Sequence, residues 1–125
     1  MLNELAKEVL AINMANGWGD KPHEVGTNLM LIVSELSEAL EADRNNRHFI
    51  SPKDEKWLDD IKWKCKHSKE IFELSVKDSF EDEIADVIIR CLDLCARHDI
   101  DVDFHVRAKM EYNKSRGYHH GGKAY

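Results

Sequence analysis

A chain of 125 residues, 42% hydrophobic and 34% charged, has the length of one domain and enough apolar material for a core. Its net charge of −6 and pI near 5.6 argue against a nucleic acid polymer as partner, and an anionic substrate would need local cations or a bound metal. No run of 18 apolar residues marks a membrane span, the N-terminus MLNELAKEVLAINMANG is amphipathic and unlike a secretory signal, and an odd set of cysteines (Cys65, Cys91 and Cys95) suits reduced thiols in the cytoplasm.

No strand pattern occurs, and the periodicity predicts helices throughout. The first runs from about Asn3 to Ala15, with Leu5, Val9 and Ile12 inward and Gly17 near its end. After the loop GWGDKP, Pro22 suits a first helical turn, and a long helix follows to about Arg44. Its inward stripe is Val25, Leu29, Ile32, Leu36 and Leu40. Ser51-Pro52 followed by Asp54 and Glu55 resembles a helix start, which predicts one helix over 52–75 with Trp57, Leu58, Ile61, Cys65 and Phe72 on one side. Ser79 caps a helix from about Phe80 to His98, with the stripe Ile84, Val87, Ile88, Cys91 and Cys95. A last helix follows Asp101, runs from about Val102 to Ser115 and stops at Gly117. The expected fold is all-α: an antiparallel bundle of four to five helices in a single domain, 1–125, with an inserted helical segment at 45–78.

Two acidic pairs interrupt these apolar patterns. Glu35 and Glu38 lie in VSELSEALE, and Glu83 and Asp86 in EDEIADVII. Residues at i and i+3 share a helix face, so each pair can offer both carboxylates to one point. At about 100° per residue, both pairs fall on the same-handed flank of their stripes. If the two helices pack stripe to stripe as antiparallel neighbours, all four acids converge along one edge of the contact. Hard cations such as Mg²⁺ take oxygen ligands of this kind together with substrate phosphates. The pattern alone leaves open a solvated acidic face, because Glu is common on helix surfaces. On the last helix, Val102, Val106, Lys109, Asn113 and Arg116 share a face that starts apolar and continues as donors, which fits either phosphate or sugar binding or a helix end that leaves the core with its cations favoured by the dipole.

Three ordered segments, SELSEALEADR, DEIADVIIRCLDLCARHDID and KMEYNKSRGYHHGGK, together resemble the MazG-like branch of the all-α nucleoside triphosphate pyrophosphohydrolases. The resemblance covers most of residues 17–44 and 80–123. It implies that Glu35, Glu38, Glu83 and Asp86 hold Mg²⁺, sometimes Mn²⁺, with Glu35 or Glu38 taking the proton of the attacking water. It implies that Lys109, Asn113, Arg116 and Tyr118 bind the substrate, and Trp18 is a candidate for stacking on its base. The implied reaction cleaves a (d)NTP between the α- and β-phosphates, giving the monophosphate and pyrophosphate, in a homodimer or homotetramer that clears unwanted nucleotides. A dUTPase-like or phosphoribosyl-ATP pyrophosphohydrolase activity on the same fold, and a non-enzymatic helical interaction module, are the rival expectations. The 44 residues between Glu38 and Glu83 exceed the link of compact relatives; the insertion with Trp57 and Trp63 is either ordinary packing of an added helix or a lid, a specificity element or an oligomer interface.

Overall fold

The computed structural model describes residues 1–18, 24–49 and 55–117, with side chains from residue 58 onward in the last stretch. Among these the chain is wholly helical: α1 (Leu2–Ala15), α2 (Val25–Arg44), α3 (Glu55–His67), α4 (Lys69–Ser75), α5 (Phe80–Arg97) and α6 (Val102–Ser115). No helix among the described residues is long and apolar enough to cross a membrane. The predicted starts at Pro22 and Ser51-Pro52 lie outside the described residues.

The single helix expected over 52–75 is two helices, which takes the number beyond four to five. Ser68 divides them: it leaves the helical conformation and its hydroxyl accepts the N–H of Ile71 at 3.3 Å, capping α4. Serine competes for backbone donors in this way, so an apolar pattern can continue through a break in the helix. The other boundaries follow the sequence signals. Ser79 accepts the N–H of Asp82 (3.2 Å) at the start of α5, and Asp101 that of Phe104 (3.1 Å) at the start of α6. Helix α1 ends in a Schellman motif: Gly17 takes φ +89°, and the N–H of Trp18 reaches the carbonyl of Asn13 at 2.9 Å.

The chain divides into two compact units. One comprises Met1–Pro22 and Cys91–Tyr125, the other His23–Arg90. The first unit is built on a small core of Ala6, Val9, Leu92 and Val102, with Leu2, Cys95 and Ala96 packed against it. Within α1, Ala6 and Val9 face inward, whereas Leu5 and Ile12 of the expected stripe are largely exposed. Small side chains allow close helix approach, so the packed face runs through Ala6.

In the second unit the expected stripe of α2 is not the buried face. Val25, Leu29, Leu36 and Leu40 are each about half exposed, and the buried residues are Glu35, Ala39 and Ala42. The packed face is turned by roughly 90° from the leucine stripe, toward the acidic flank. On α5 the expected stripe holds in part: Ile84, Val87 and Cys95 are half-buried, Ile88 and Cys91 are exposed, and Glu83 is buried beside them. Across the two helices the acids gain a cationic partner in Arg90, which bonds Glu35. The two helices therefore meet flank to flank, which corrects the stripe-to-stripe packing expected from the sequence. The turn after α2 is fixed to α5 by two backbone donors: Phe80 N–H to the carbonyl of Arg47 (2.8 Å) and Phe49 N–H to the Glu81 carboxylate (2.8 Å).

Candidate metal centre

Helices α2 and α5 bring three carboxylates to one point. Oxygens of Glu35, Glu38 and Glu83 all lie within 4.8 Å of one another. Glu35 and Glu83 are buried, at 7% and 8% exposure, while Glu38 is exposed and opens the cluster to solvent. Asp86 stands one turn after Glu83 on the same face of α5 and is half-buried; its oxygens lie outside this group of three.

The electrostatics are uneven. Burial, together with the charges of Glu38 and Asp86, pushes the Glu83 carboxyl up to about 7. Glu38 is raised by its hydrogen bond with Glu35 and by the Glu35 charge. Asp86 is raised by burial and then by Asp82 and Glu35. Glu35 moves the other way: burial opposes its charge, but hydrogen bonding with Glu38 and Arg90 and the Arg90 charge outweigh it and hold it below its ordinary value. The Nε–H of Arg90 donates to Oε1 of Glu35 at 2.6 Å. One carboxylate is thus kept ionised by an arginine, while at Glu38 and Asp86 the same arginine is outweighed by burial and by the neighbouring negative charges.

Carboxylate oxygens in this number suit Mg²⁺ or Mn²⁺, with water and substrate oxygens completing the shell. The fit rests on Glu83: the residue is 8% exposed, its carboxyl shares a hydrogen bond with Glu35, and burial beside Glu38 and Asp86 raises it, a strain that a bound cation would relieve. A second acidic group, Asp78, Asp82 and Glu83, has a structural account. Asp82 accepts the N–H of Asp78 at 2.9 Å, and Asp78 takes the ammonium of Lys77 at 2.9 Å, as part of the cap of α5.

Of the remaining sequence candidates, Lys109, Asn113, Arg116 and Trp18 lie in the first unit. Lys109, Asn113 and Arg116 lie along α6 together with exposed Tyr112, whose ring has the Lys109 Nζ at 4.9 Å and the Arg116 Cζ at 5.7 Å from its centre. Trp18 is exposed, and its carbonyl accepts an N–H of Arg97 at 3.0 Å. Tyr118 lies outside the described residues, as do His23, His119, His120 and the side chain of Trp57. Trp63 of the insertion is exposed and stacks on His67, with ring centres 4.3 Å apart.

Two residues escaped the sequence reading. Arg90 follows Asp86 by four positions and Glu83 by seven, so helical spacing alone could have put it on the acidic face. Tyr112 precedes Asn113 and follows Lys109 by three, which is likewise helix spacing. No protein-family model, no curated protein and no solved structure matches this chain.

Proposed function

We propose that the protein is a Mg²⁺-dependent nucleoside triphosphate pyrophosphohydrolase, with Glu35, Glu38, Glu83 and Asp86 as its metal-binding acids. The observation that carries this reading is the convergence of Glu35, Glu38 and Glu83, two of them buried, within 4.8 Å of one another. The choice of reaction rests on the three segments that resemble the MazG-like enzymes. The chemistry that a bound Mg²⁺ supplies at such a site is neutralisation of phosphate oxygens and a water of lowered pKa.

The chain's own residues then divide the work. Glu83, buried and aimed into the cluster, and Glu35, ionised beside Arg90, act as fixed ligands. Glu38 faces solvent and accepts the proton of the attacking water. The water oxygen bonds to phosphorus, the α–β bridging P–O bond breaks, and pyrophosphate leaves. Lys109, Asn113 and Arg116 are assigned to substrate binding in this reading on the resemblance alone. The leucine stripe left half exposed on α2 supports burial against a second copy, in a homodimer or homotetramer.

The test is pyrophosphate release from a panel of dNTPs and NTPs, dUTP and phosphoribosyl-ATP included, with Mg²⁺. Release that depends on Mg²⁺ and is lost in Glu38→Gln supports the proposal. No release, with Mn²⁺ calorimetry showing no stoichiometric binding, would leave the non-enzymatic interaction module as the better account.

A further inference from the structure

We propose that Arg90 is a phosphate-binding residue of the acidic site, held by Glu35 through its Nε and offering its outer guanidinium nitrogens to the substrate's phosphates. This rests on the pyrophosphohydrolase reading above. A guanidinium carries five N–H donors in a rigid planar fork. In this protein the Nε–H is engaged, at 2.6 Å from Glu35. That bond fixes the plane and direction of the fork. Among the described residues no acceptor takes the Nη groups, and the Arg90 side chain is 41% exposed. The Nη donors thus lack an acceptor among the described residues and belong to a partly exposed side chain beside a cluster of three carboxylates.

Location supports the same role. Glu83, Asp86 and Arg90 follow one another along one face of α5, so a polyphosphate held through the acids would run toward the arginine. The charges agree as well. A polyphosphate brings further negative charge to a site that already holds three carboxylates, and Arg90 is the cation bonded to that cluster among the described residues. An arginine that served Glu35 alone would only compete with a metal for its oxygen. An arginine that shares itself between Glu35 and an incoming phosphate orients a ligand and recruits the substrate together. A lysine has no second, coplanar set of donors and cannot do both in this geometry.

The experiment uses the full chain with Mn²⁺, then inorganic pyrophosphate at saturating Mn²⁺, followed by calorimetry. Wild type is compared with Arg90→Lys and Arg90→Met, each checked for helicity. Both variants are expected to keep the Mn²⁺ stoichiometry, with Arg90→Met binding the ion as tightly as wild type or more so. Both are expected to lose pyrophosphate affinity by roughly tenfold or more, as expected for charge-assisted hydrogen bonds. In turnover, KM should rise by more than kcat falls. Pyrophosphate affinity within about twofold of wild type in Arg90→Lys would reduce Arg90 to a structural partner of Glu35 and overturn the proposal. Wild type that binds Mn²⁺ but no pyrophosphate would overturn it too. Wild type that binds no Mn²⁺ would instead defeat the metal reading, and this inference with it. If Arg90→Met does not fold, Arg90→Lys carries the test.

Discussion

Asn3 and Asp103 cap each other's helices. The Oδ1 of Asn3 accepts the N–H groups of Val102 (2.8 Å) and Asp103 (3.3 Å) at the start of α6. The Asp103 carboxylate accepts those of Leu2 (2.9 Å) and Asn3 (3.1 Å) at the start of α1. These donors hold the Asp103 carboxyl below its ordinary range, Leu2 foremost. Each helix start thus depends on a residue about 100 positions away, which closes the first unit. Asn3→Ala should cost about 1–2 kcal/mol of stability in urea melts. Asp103→Ala added to Asn3→Ala should cost less than the sum of the two single changes, because the second loses a partner already weakened. Strict additivity in the double-mutant cycle would show that the two caps act independently.

The acidic centre predicts an unusual dependence of stability on pH. Glu83 titrates near 7 in the folded chain and near the ordinary 4.5 when unfolded. Between these values the folded chain holds a proton that the unfolded chain has released, so stability is highest at the acid end and falls as pH rises through 7. The full shift corresponds to at most about 3 kcal/mol, and solvent at the exposed Glu38 side reduces the expected change to about 1–2 kcal/mol. Melts in EDTA should therefore show a lower Tm at pH 8 than at about pH 5.5, and Glu83→Gln should be the more stable protein at pH 8. Millimolar Mg²⁺ should reverse the slope for wild type alone, because cation binding favours the ionised acids. A Tm in EDTA that climbs toward pH 8 would contradict this picture of Glu83.

Glu35 and Glu38 should separate in kinetics. Glu38 is the exposed member of the cluster, whereas Glu35 is buried and tied to Arg90. Glu38→Gln should lower kcat about 10²-fold or more while Mn²⁺ still binds, as removal of a general base does. Glu35→Gln should weaken Mn²⁺ binding itself and lose stability, because it strands the half-buried guanidinium. Mn²⁺ affinities that fall equally in both variants, with kcat at saturating Mn²⁺ unchanged in Glu38→Gln, would show that Glu38 serves only as a ligand and not as the base.

The boundaries at Gly17, Ser79 and Asp101 were legible because they depend on short-range chemistry, whereas the break at Ser68 was hidden by an apolar pattern that runs through it. Ser79, Asp101 and Gly17 do in three dimensions what capping rules ask of them in sequence. The packed faces were less legible. Hydrophobicity marks which residues avoid water, not which surface a given helix meets first, and Leu29, Leu36 and Leu40 remain half exposed while Ala39 and Ala42 are buried. The acids were found by their spacing, and Glu35, Glu38 and Glu83 do meet. Arg90 was passed over because a lone arginine on a helix carries no signal until its carboxylate partner, 55 positions away, is known.

His48 should act as a pH-dependent tie between the turn after α2 and the start of α5. Its Nε2 lies 3.0 Å from Asp43 and its Nδ1 3.4 Å from Glu81, and its ring packs on Phe80. Both nitrogens face carboxylates, so both serve best as N–H donors, and the Asp43 hydrogen bond leads in raising the His48 pKa above 6.5. The stabilisation is then complete below 6.5 and is lost as pH rises through the raised value. NMR titration should give an imidazole midpoint above that of a free histidine, and Asp43→Asn should bring it down. A midpoint unmoved by Asp43→Asn would remove the tie.

The stripe on α2 should govern self-association. Leu29, Val33, Leu36 and Leu40 are each close to half exposed and step by four, three and four, the spacing of a helix seam. Their exposure argues that a monomer leaves apolar surface in water, which a second copy would remove. Leu36 stands in the interior of this stripe and outside the buried face of Glu35, Ala39 and Ala42. Leu36→Lys should therefore weaken association by about 30-fold or more while leaving the monomer's helicity and Mn²⁺ binding in place. Light scattering at micromolar concentration checks the first part and calorimetry the second. Wild type that scatters as a monomer would show that the stripe is tolerated in water, and a Leu36→Lys chain that unfolds would show that it belongs to the core after all.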